Sequence, residues 1–268
     1  MPPFYTFIGL AIILLSMATI LLRIMPLASW FCPLVWYGYI VFIDGLVFNY
    51  AKKSLLHKLK RFFAICLLSI VFWLIFEIYN LFLKGWYYVN VPEPKVFAYA
   101  ISFSTILPAV LETKEFLELS KHFDIRIKHI KIKKIFLKLL IIFGILFLIA
   151  PFIFPSTFMF FLVWIGFFLL FDSINYLLGQ KSLIEDISNG KLNTPISVFI
   201  SGYICGFLWE FWNYWALAKW HYTVSILESF KVFEIPFLGF FAYGFFAFEL
   251  YSMYNFSLYL KNNLLKSF

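Results

Sequence analysis

Charge is scarce in this chain: Asp, Glu, Lys and Arg together make up 13% of its 268 residues, about half of what a soluble domain carries. That is too little to cover the surface of a water-soluble globule. Cysteine is scarce as well. Cys32, Cys66 and Cys205 show no paired spacing, and two of them lie inside apolar runs, so neither a disulfide framework nor a zinc site is indicated. The four histidines, at 57, 122, 129 and 221, are scattered and avoid the centres of the apolar runs, whereas histidine ligands come in clusters. His-Glu-x-x-His, Gly-x-x-x-x-Gly-Lys-Ser/Thr, Gly-x-Ser-x-Gly and Asp-Asp-x-x-Asp are all missing, which removes the usual signatures of zinc, phosphate-loop, serine-hydrolase and magnesium-diphosphate chemistry. The expectation is a site with no metal and no cofactor.

What the chain has in quantity is apolar and aromatic surface. Hydrophobic residues reach 63%, with 38 Phe, 16 Tyr and 9 Trp. Apolar runs cover residues 4–22, 34–50, 62–83, 96–112, 136–153, 157–178, 197–218 and 237–260, and a run of about 20 residues spans a hydrocarbon core about 30 Å thick. The fold class expected is all-α, a polytopic transmembrane bundle of eight spans. The first run has no basic segment before it and no small-residue cleavage site after it, so it reads as an uncleaved span.

Lys and Arg set the orientation. Of the 22, only Arg23, Lys84, Lys95, Lys219 and Lys231 fall on one side of the eight-span scheme. The positive-inside rule then makes both termini cytoplasmic, in a multi-pass protein of the bacterial inner membrane. The net charge of +8 is explained by those loops, and the basic run from Lys128 to Lys138 reads as an anchor to anionic head groups and not as a nucleic-acid surface. The bilayer is the partner expected.

The chain also repeats itself. Leu34-Val35-Trp36-x-Gly38, Asp44 and Lys53-Ser54-Leu55 match Leu162-Val163-Trp164-x-Gly166, Asp172 and Lys181-Ser182-Leu183 at an offset of 128. Glu77, Asn80, Trp86 and Tyr88 match Glu210, Asn213, Trp220 and Tyr222 at 133 to 134, and Glu112 pairs with Glu249 at 137. The expected organisation is a four-span unit at 1–118, a basic linker at 119–134 and a second four-span unit at 135–268. An even number of spans keeps both units in one orientation, related by a pseudo-two-fold axis near the membrane normal. The alternation of Ile with Lys or Arg in the linker suits a short strand or an interfacial helix.

Ionisable groups within spans cost several kcal/mol and mark a protein-lined interior or a functional site. Asp44, Glu77, Asp172, Glu210 and Glu249 are such groups, with no Lys or Arg deep in any span to neutralise them. Glu77 with Asn80, and Glu210 with Asn213, are three apart and share a helix face. These four are the catalytic candidates. Trp73, Tyr79, Trp86, Tyr88, Trp209, Trp212, Trp220 and Tyr222 lie near them in the sequence and are the candidate binding residues. Facing copies across the two-fold would join two Glu and two Asn in one site, with at least one carboxyl titrating above a free Glu through desolvation. Interhelical hydrogen bonding is the competing reading for these pairs, as for Asp44, Asp172 and Glu249, whose roles stay open.

A Glu-bearing span followed by Trp-x-Tyr, then Glu234-Ile235-Pro236 before the aromatic, Glu-containing stretch Phe245 to Tyr251, resembles small bacterial membrane proteins of the lycopene cyclase-type and carotenoid hydratase-type families. The repeated pattern is also similar to uncharacterised bacterial integral membrane proteins of this length. The Pro-Leu-Glu-Glu signature of the cyclases is absent. The resemblance implies an isoprenoid or other lipid substrate. The expectation is then a cofactor-independent membrane enzyme in which a protonated Glu77 or Glu210 is general acid and aromatic faces steady a developing cation. The alternatives are a proton or cation path through Asp44, Asp172, Glu77 and Glu210, and a scaffold subunit with no site of its own.

Overall fold

The computed structural model describes residues 1–120, 123–223 and 231–264. Long apolar runs become helices because a chain in hydrocarbon must satisfy its backbone polar groups internally. The helices are α1 (Phe4–Leu21), α2 (Phe31–Ala51), α3 (Leu59–Leu83), α4 (Lys95–Phe103), α5 (Ile106–Leu119), α6 (Lys134–Ile153), α7 (Met159–Leu177), α8 (Leu183–Ser188), α9 (Asn193–Trp215) and α10 (Ala242–Leu264). Seven described helical stretches, from Phe4–Leu21 to Asn193–Trp215, are long and apolar enough to cross a membrane. The chain is an integral membrane protein of mainly helical build.

Two helix hairpins are made by the same contact. A Cβ on Gly9 of α1 would lie 2.4 Å from Phe42 N and 2.8 Å from Gly38 O, so the backbones of α1 and α2 touch there. On Gly144 of α6 it would lie 2.8 Å from Leu170 N and 2.9 Å from Gly166 O of α7. Small residues at such crossings are how membrane helices approach closely. α1 and α6 lie outermost, with Leu14, Leu15, Ile142 and Leu146 among their exposed residues. The interior is formed by α2, α5, α7, α9 and α10, with Trp36, Ile40, Leu107, Val163, Val198 and Leu250 in the core. α10 packs against α7 and α9. It buries Glu249, Ser252 and Asn255, polar residues suited to a helix that faces protein.

The helices depart from the sequence reading in places. The run expected at 96–112 is broken between α4 and α5, because Pro108 has no N–H to give to Ser104. At the break, Ser69 of α3 inserts its hydroxyl, donating to Phe103 O at 2.5 Å and accepting from Leu107 N at 3.0 Å. α2 begins at Phe31 and α10 at Ala242, each after a short tight turn at Leu27–Trp30 and Phe237–Phe241. α8 was not anticipated. It is started by Ser182, whose side chain accepts from Glu185 N at 3.1 Å. Among the described residues the linker between α5 and α6 forms neither a strand of a sheet nor a helix: it lies along the end of α8 and the segment after it through an isolated bridge between Arg126 and Lys191 and backbone bonds from Ile127 N to Gly190 O and from Ile130 N to Ser188 O.

Among the described residues, four short strands complete the fold. β1 (Trp86–Val89) pairs antiparallel with β2 (Lys219–Tyr222), and β3 (Lys231–Val232) with β4 (Ile235–Pro236).

Candidate functional site

The two Trp-x-Tyr segments, distant in sequence, form one ribbon. Trp86 pairs with Tyr222, Tyr87 with His221 and Tyr88 with Trp220. Exchanging Trp86 for Trp220 and Tyr88 for Tyr222 leaves this register unchanged. Each strand is held by the asparagine below it. Asn80 Nδ2 donates to Trp86 O at 3.0 Å and its Oδ1 accepts from Trp86 N at 3.2 Å. Asn213 does the same for Trp220, at 2.9 and 3.0 Å. The asparagines are therefore positioning residues that satisfy both backbone groups of the leading tryptophan.

Alternation along a strand sends neighbouring side chains to opposite faces. Trp86, Tyr88, Trp220 and Tyr222 line a cavity of about 580 Å³, while Tyr87 is exposed and stacks near His221 at 5.6 Å. Trp36, Trp73, Trp164 and Trp209 complete the aromatic wall, with Tyr243 and Phe246 of α10. Trp36 and Trp209 have ring centroids 5.3 Å apart. Three lining residues, Phe158, Phe161 and Phe241, are exposed.

The carboxyls stand behind this wall and do not line it. Glu77 Oε1 accepts from Trp73 Nε1 at 2.9 Å, Trp86 Nε1 at 3.0 Å and Tyr88 OH at 2.5 Å, and Asn80 Nδ2 reaches Oε2 at 3.5 Å. Glu210, fully buried, accepts on Oε1 from Tyr222 OH at 2.7 Å and from Tyr243 OH. Its Oε2 is buried with no hydrogen-bond partner among the described residues. The two phenols are 3.4 Å apart. Burial first, then the adjacent Glu77 or Glu210 carboxylate, holds the phenols of Tyr88 and Tyr222 well above the ordinary tyrosine range. Each carboxyl is thus gripped by donors of its own half, and the cavity meets it through their rings.

Six of the eight binding candidates, Trp73, Trp86, Tyr88, Trp209, Trp220 and Tyr222, line the cavity. The other two point elsewhere. Tyr79 donates to Leu148 O of α6 at 3.0 Å, and Trp212 packs edge-on to Trp36 at 4.8 Å. Asp44 accepts from Tyr5 OH at 2.9 Å and Leu56 N at 2.8 Å. Asp172 accepts from Ser182, Ser252, Leu183 N and Ile184 N at 2.7 to 3.0 Å. Both aspartates tie down the segment that follows their helix. Glu249 is fully buried with neither oxygen paired among the described residues.

Among the described residues no group of three or more His, Cys, Asp or Glu could hold a metal ion, and the three cysteines are free. His122 lies outside the described residues. Glu234, in the Glu-Ile-Pro turn, pairs with Lys219 at 3.1 Å and faces His221 Nδ1 at 3.4 Å, clasping β2. Trp36, Trp164, Tyr243 and Gly206 were not among the candidate site residues read from the sequence. The first two were legible as a pair at offset 128; Tyr243 had no such mark. Comparison with protein-family models, with curated proteins and with solved structures gives no match.

Proposed function

We propose that the chain is a membrane-embedded, cofactor-independent enzyme that carries out proton transfer on an isoprenoid or comparable apolar lipid seated in the aromatic cavity. The observation that carries this is one cavity whose tyrosines hydrogen-bond directly to a half-buried carboxyl, Glu77, and a fully buried one, Glu210. Its volume, about 580 Å³, lies within the usual range of ligand sites, about 300–1,000 Å³. The indole faces suit a transient cation. Exposure of Phe158, Phe161 and Phe241 supports entry of a lipid from the side. Transport is favoured less, because Asp44 and Asp172 are occupied as hydrogen-bond acceptors within their own helix ends.

The architecture we infer has eight spans, α10 being the eighth, in two parallel four-helix units. Its support is the recurrence of three arrangements in both halves of the chain: the Gly9 and Gly144 crossings, the Asn80 and Asn213 clamps, and the exchange-invariant ribbon. Both termini are assigned to the cytoplasm on the distribution of Lys and Arg.

The test uses full-length protein in lipid nanodiscs with geranylgeraniol as probe, in D₂O. Quenching of tryptophan fluorescence reports binding, and mass spectrometry reports deuterium gained at carbon. The expected result is quenching, its loss in Ala98→Trp, which fills the cavity, and deuterated probe from the wild type. No quenching and no deuterium with this or a longer polyene overturns the reading.

A further inference from the structure

The two halves grip their carboxyls with different chemistry. Three donors meet Glu77 Oε1: the indole N–H groups of Trp73 and Trp86, and one phenol, Tyr88, the counterpart of Tyr222. An indole donates and has no lone pair to accept with, so it passes no proton onward. Glu210 is met by two phenols, Tyr222 and Tyr243, and a phenol both donates and accepts. Its second oxygen is buried and unpartnered, leaving an atom free to carry a proton. Glu77 keeps only the distant Asn80 amide, at 3.5 Å, on its second oxygen and has three donors on its first.

The sequence difference behind this is small. The offset of 133 that aligns Glu77 with Glu210 sets Gly206 where Trp73 stands. A Cβ on Gly206 would lie 2.3 Å from Cγ of Tyr243, so the missing side chain is what admits the Tyr243 ring. The offset of 137 that pairs Glu112 with Glu249 sets Ile106 opposite Tyr243. One exchange of bulk between two helices has replaced an indole on the carboxyl by a phenol.

We propose that the halves have divided their roles: Glu210, Tyr243 and Tyr222 are the proton-transferring unit of the cavity, and Glu77 is a fixed acceptor that holds the indole wall. This rests on the reading of the cavity as a proton-transfer site. In the step, the π pair of a ligand double bond takes the phenolic proton of Tyr243, forming a C–H bond. The Glu210 carboxyl turns about its terminal bond to bring the proton on Oε2 to the Tyr243 oxygen, which takes it, leaving a carboxylate and a carbocation facing the Trp36 and Trp209 rings. Loss of a neighbouring C–H proton to the Tyr243 oxygen returns a proton to Glu210 by the reverse route and leaves a rearranged alkene. Nothing is oxidised or reduced, and no co-reactant is consumed.

The test is infrared difference spectroscopy on full-length protein in nanodiscs at neutral pH, together with deuterium uptake by geranylgeraniol. The spectra are recorded in a Glu249→Gln background, because Glu249 is itself buried and unpaired among the described residues. The expected spectrum there contains a protonated-carboxyl carbonyl band that shifts in D₂O, disappears on adding Glu210→Gln and persists on adding Glu77→Gln. Tyr243→Phe, which keeps the ring against Gly206, shifts the band by removing its donor. In turnover, Glu210→Gln and Tyr243→Phe lower kcat by about 100-fold or more, the scale of a lost acid–base group. Glu77→Gln raises KM by loosening Trp73 and Trp86. A band that survives Glu210→Gln, or vanishes in Glu77→Gln, overturns the division of roles. If the wild type moves no deuterium, the proposed function fails, and the infrared assignment still decides this inference on its own.

Discussion

Replacing each buried aspartate by asparagine separates a structural role from an ion pathway, because the two sites differ in how many backbone donors they serve. Asp172 takes Leu183 N at 3.0 Å on Oδ1 and Ile184 N at 2.8 Å on Oδ2. An asparagine has one carbonyl oxygen, so whichever way it turns, its NH₂ faces one of these N–H groups. The serine hydroxyls of Ser182 and Ser252 rotate to accept; the backbone N–H cannot. One buried donor is orphaned, at about 1–3 kcal/mol, and charge-assisted bonds are weakened, for a total near 3 kcal/mol. That is roughly a hundredfold in the folding equilibrium. Asp44 serves a single backbone donor, Leu56 N, and the phenol of Tyr5. Asparagine there keeps the first bond and donates to the phenol oxygen, at a cost under about 1 kcal/mol. SDS titration in mixed micelles, followed by tryptophan fluorescence, compares the two. Equal shifts of the midpoint, or a larger one for Asp44→Asn, would refute the reasoning. An ion pathway through both residues predicts loss of transport in both variants with no difference in stability.

The ribbon anchors give a second comparison. Asn213→Ala removes two hydrogen bonds from a fully buried site and is expected to cost about 2–3 kcal/mol and to speed amide exchange at Trp220, whereas the half-buried Asn80→Ala costs about 1 kcal/mol. Alkaline titration reads the raised phenols of Tyr88 and Tyr222. Above about pH 10 the unfolded chain ionises them and the folded chain does not. Alkali therefore favours unfolding, and phenolate absorbance from these two should rise only with loss of structure; early ionisation in the folded state contradicts the burial.

Where the helices run was legible from apolar length, since hydrocarbon leaves a buried backbone few other solutions. What was not legible depends on partners from elsewhere in the chain. Pro108 announces trouble in the fourth run, but the break sits where it does because Ser69, on α3, takes over the neighbouring rung, between Phe103 O and Leu107 N. The ribbon is a stronger case. Four residues of Trp-x-Tyr type read equally well as a tryptophan and tyrosine belt at a helix end. They become a strand because a second copy supplies the pairing edge and an asparagine one turn inside each helix fixes the first residue.

The repeat pattern leads to two carboxyls, Glu77 and Glu210, and hides the difference between them. Matching Glu77 with Glu210 and Asn80 with Asn213 treats the halves as equal, and identity at those positions holds no information about what donates to each carboxyl. That information lies at the positions that fail to match. Gly206 against Trp73 reads in sequence as a lost aromatic residue, a weakening of the second half. In the folded chain the space it leaves is taken by Tyr243 from another helix, which places a proton-competent hydroxyl on Glu210 where its counterpart Glu77 meets an indole. Two matched carboxyls need not change for one of them to differ in chemistry; a change in the donors is enough, and mismatched positions beside matched ones are where to look for it.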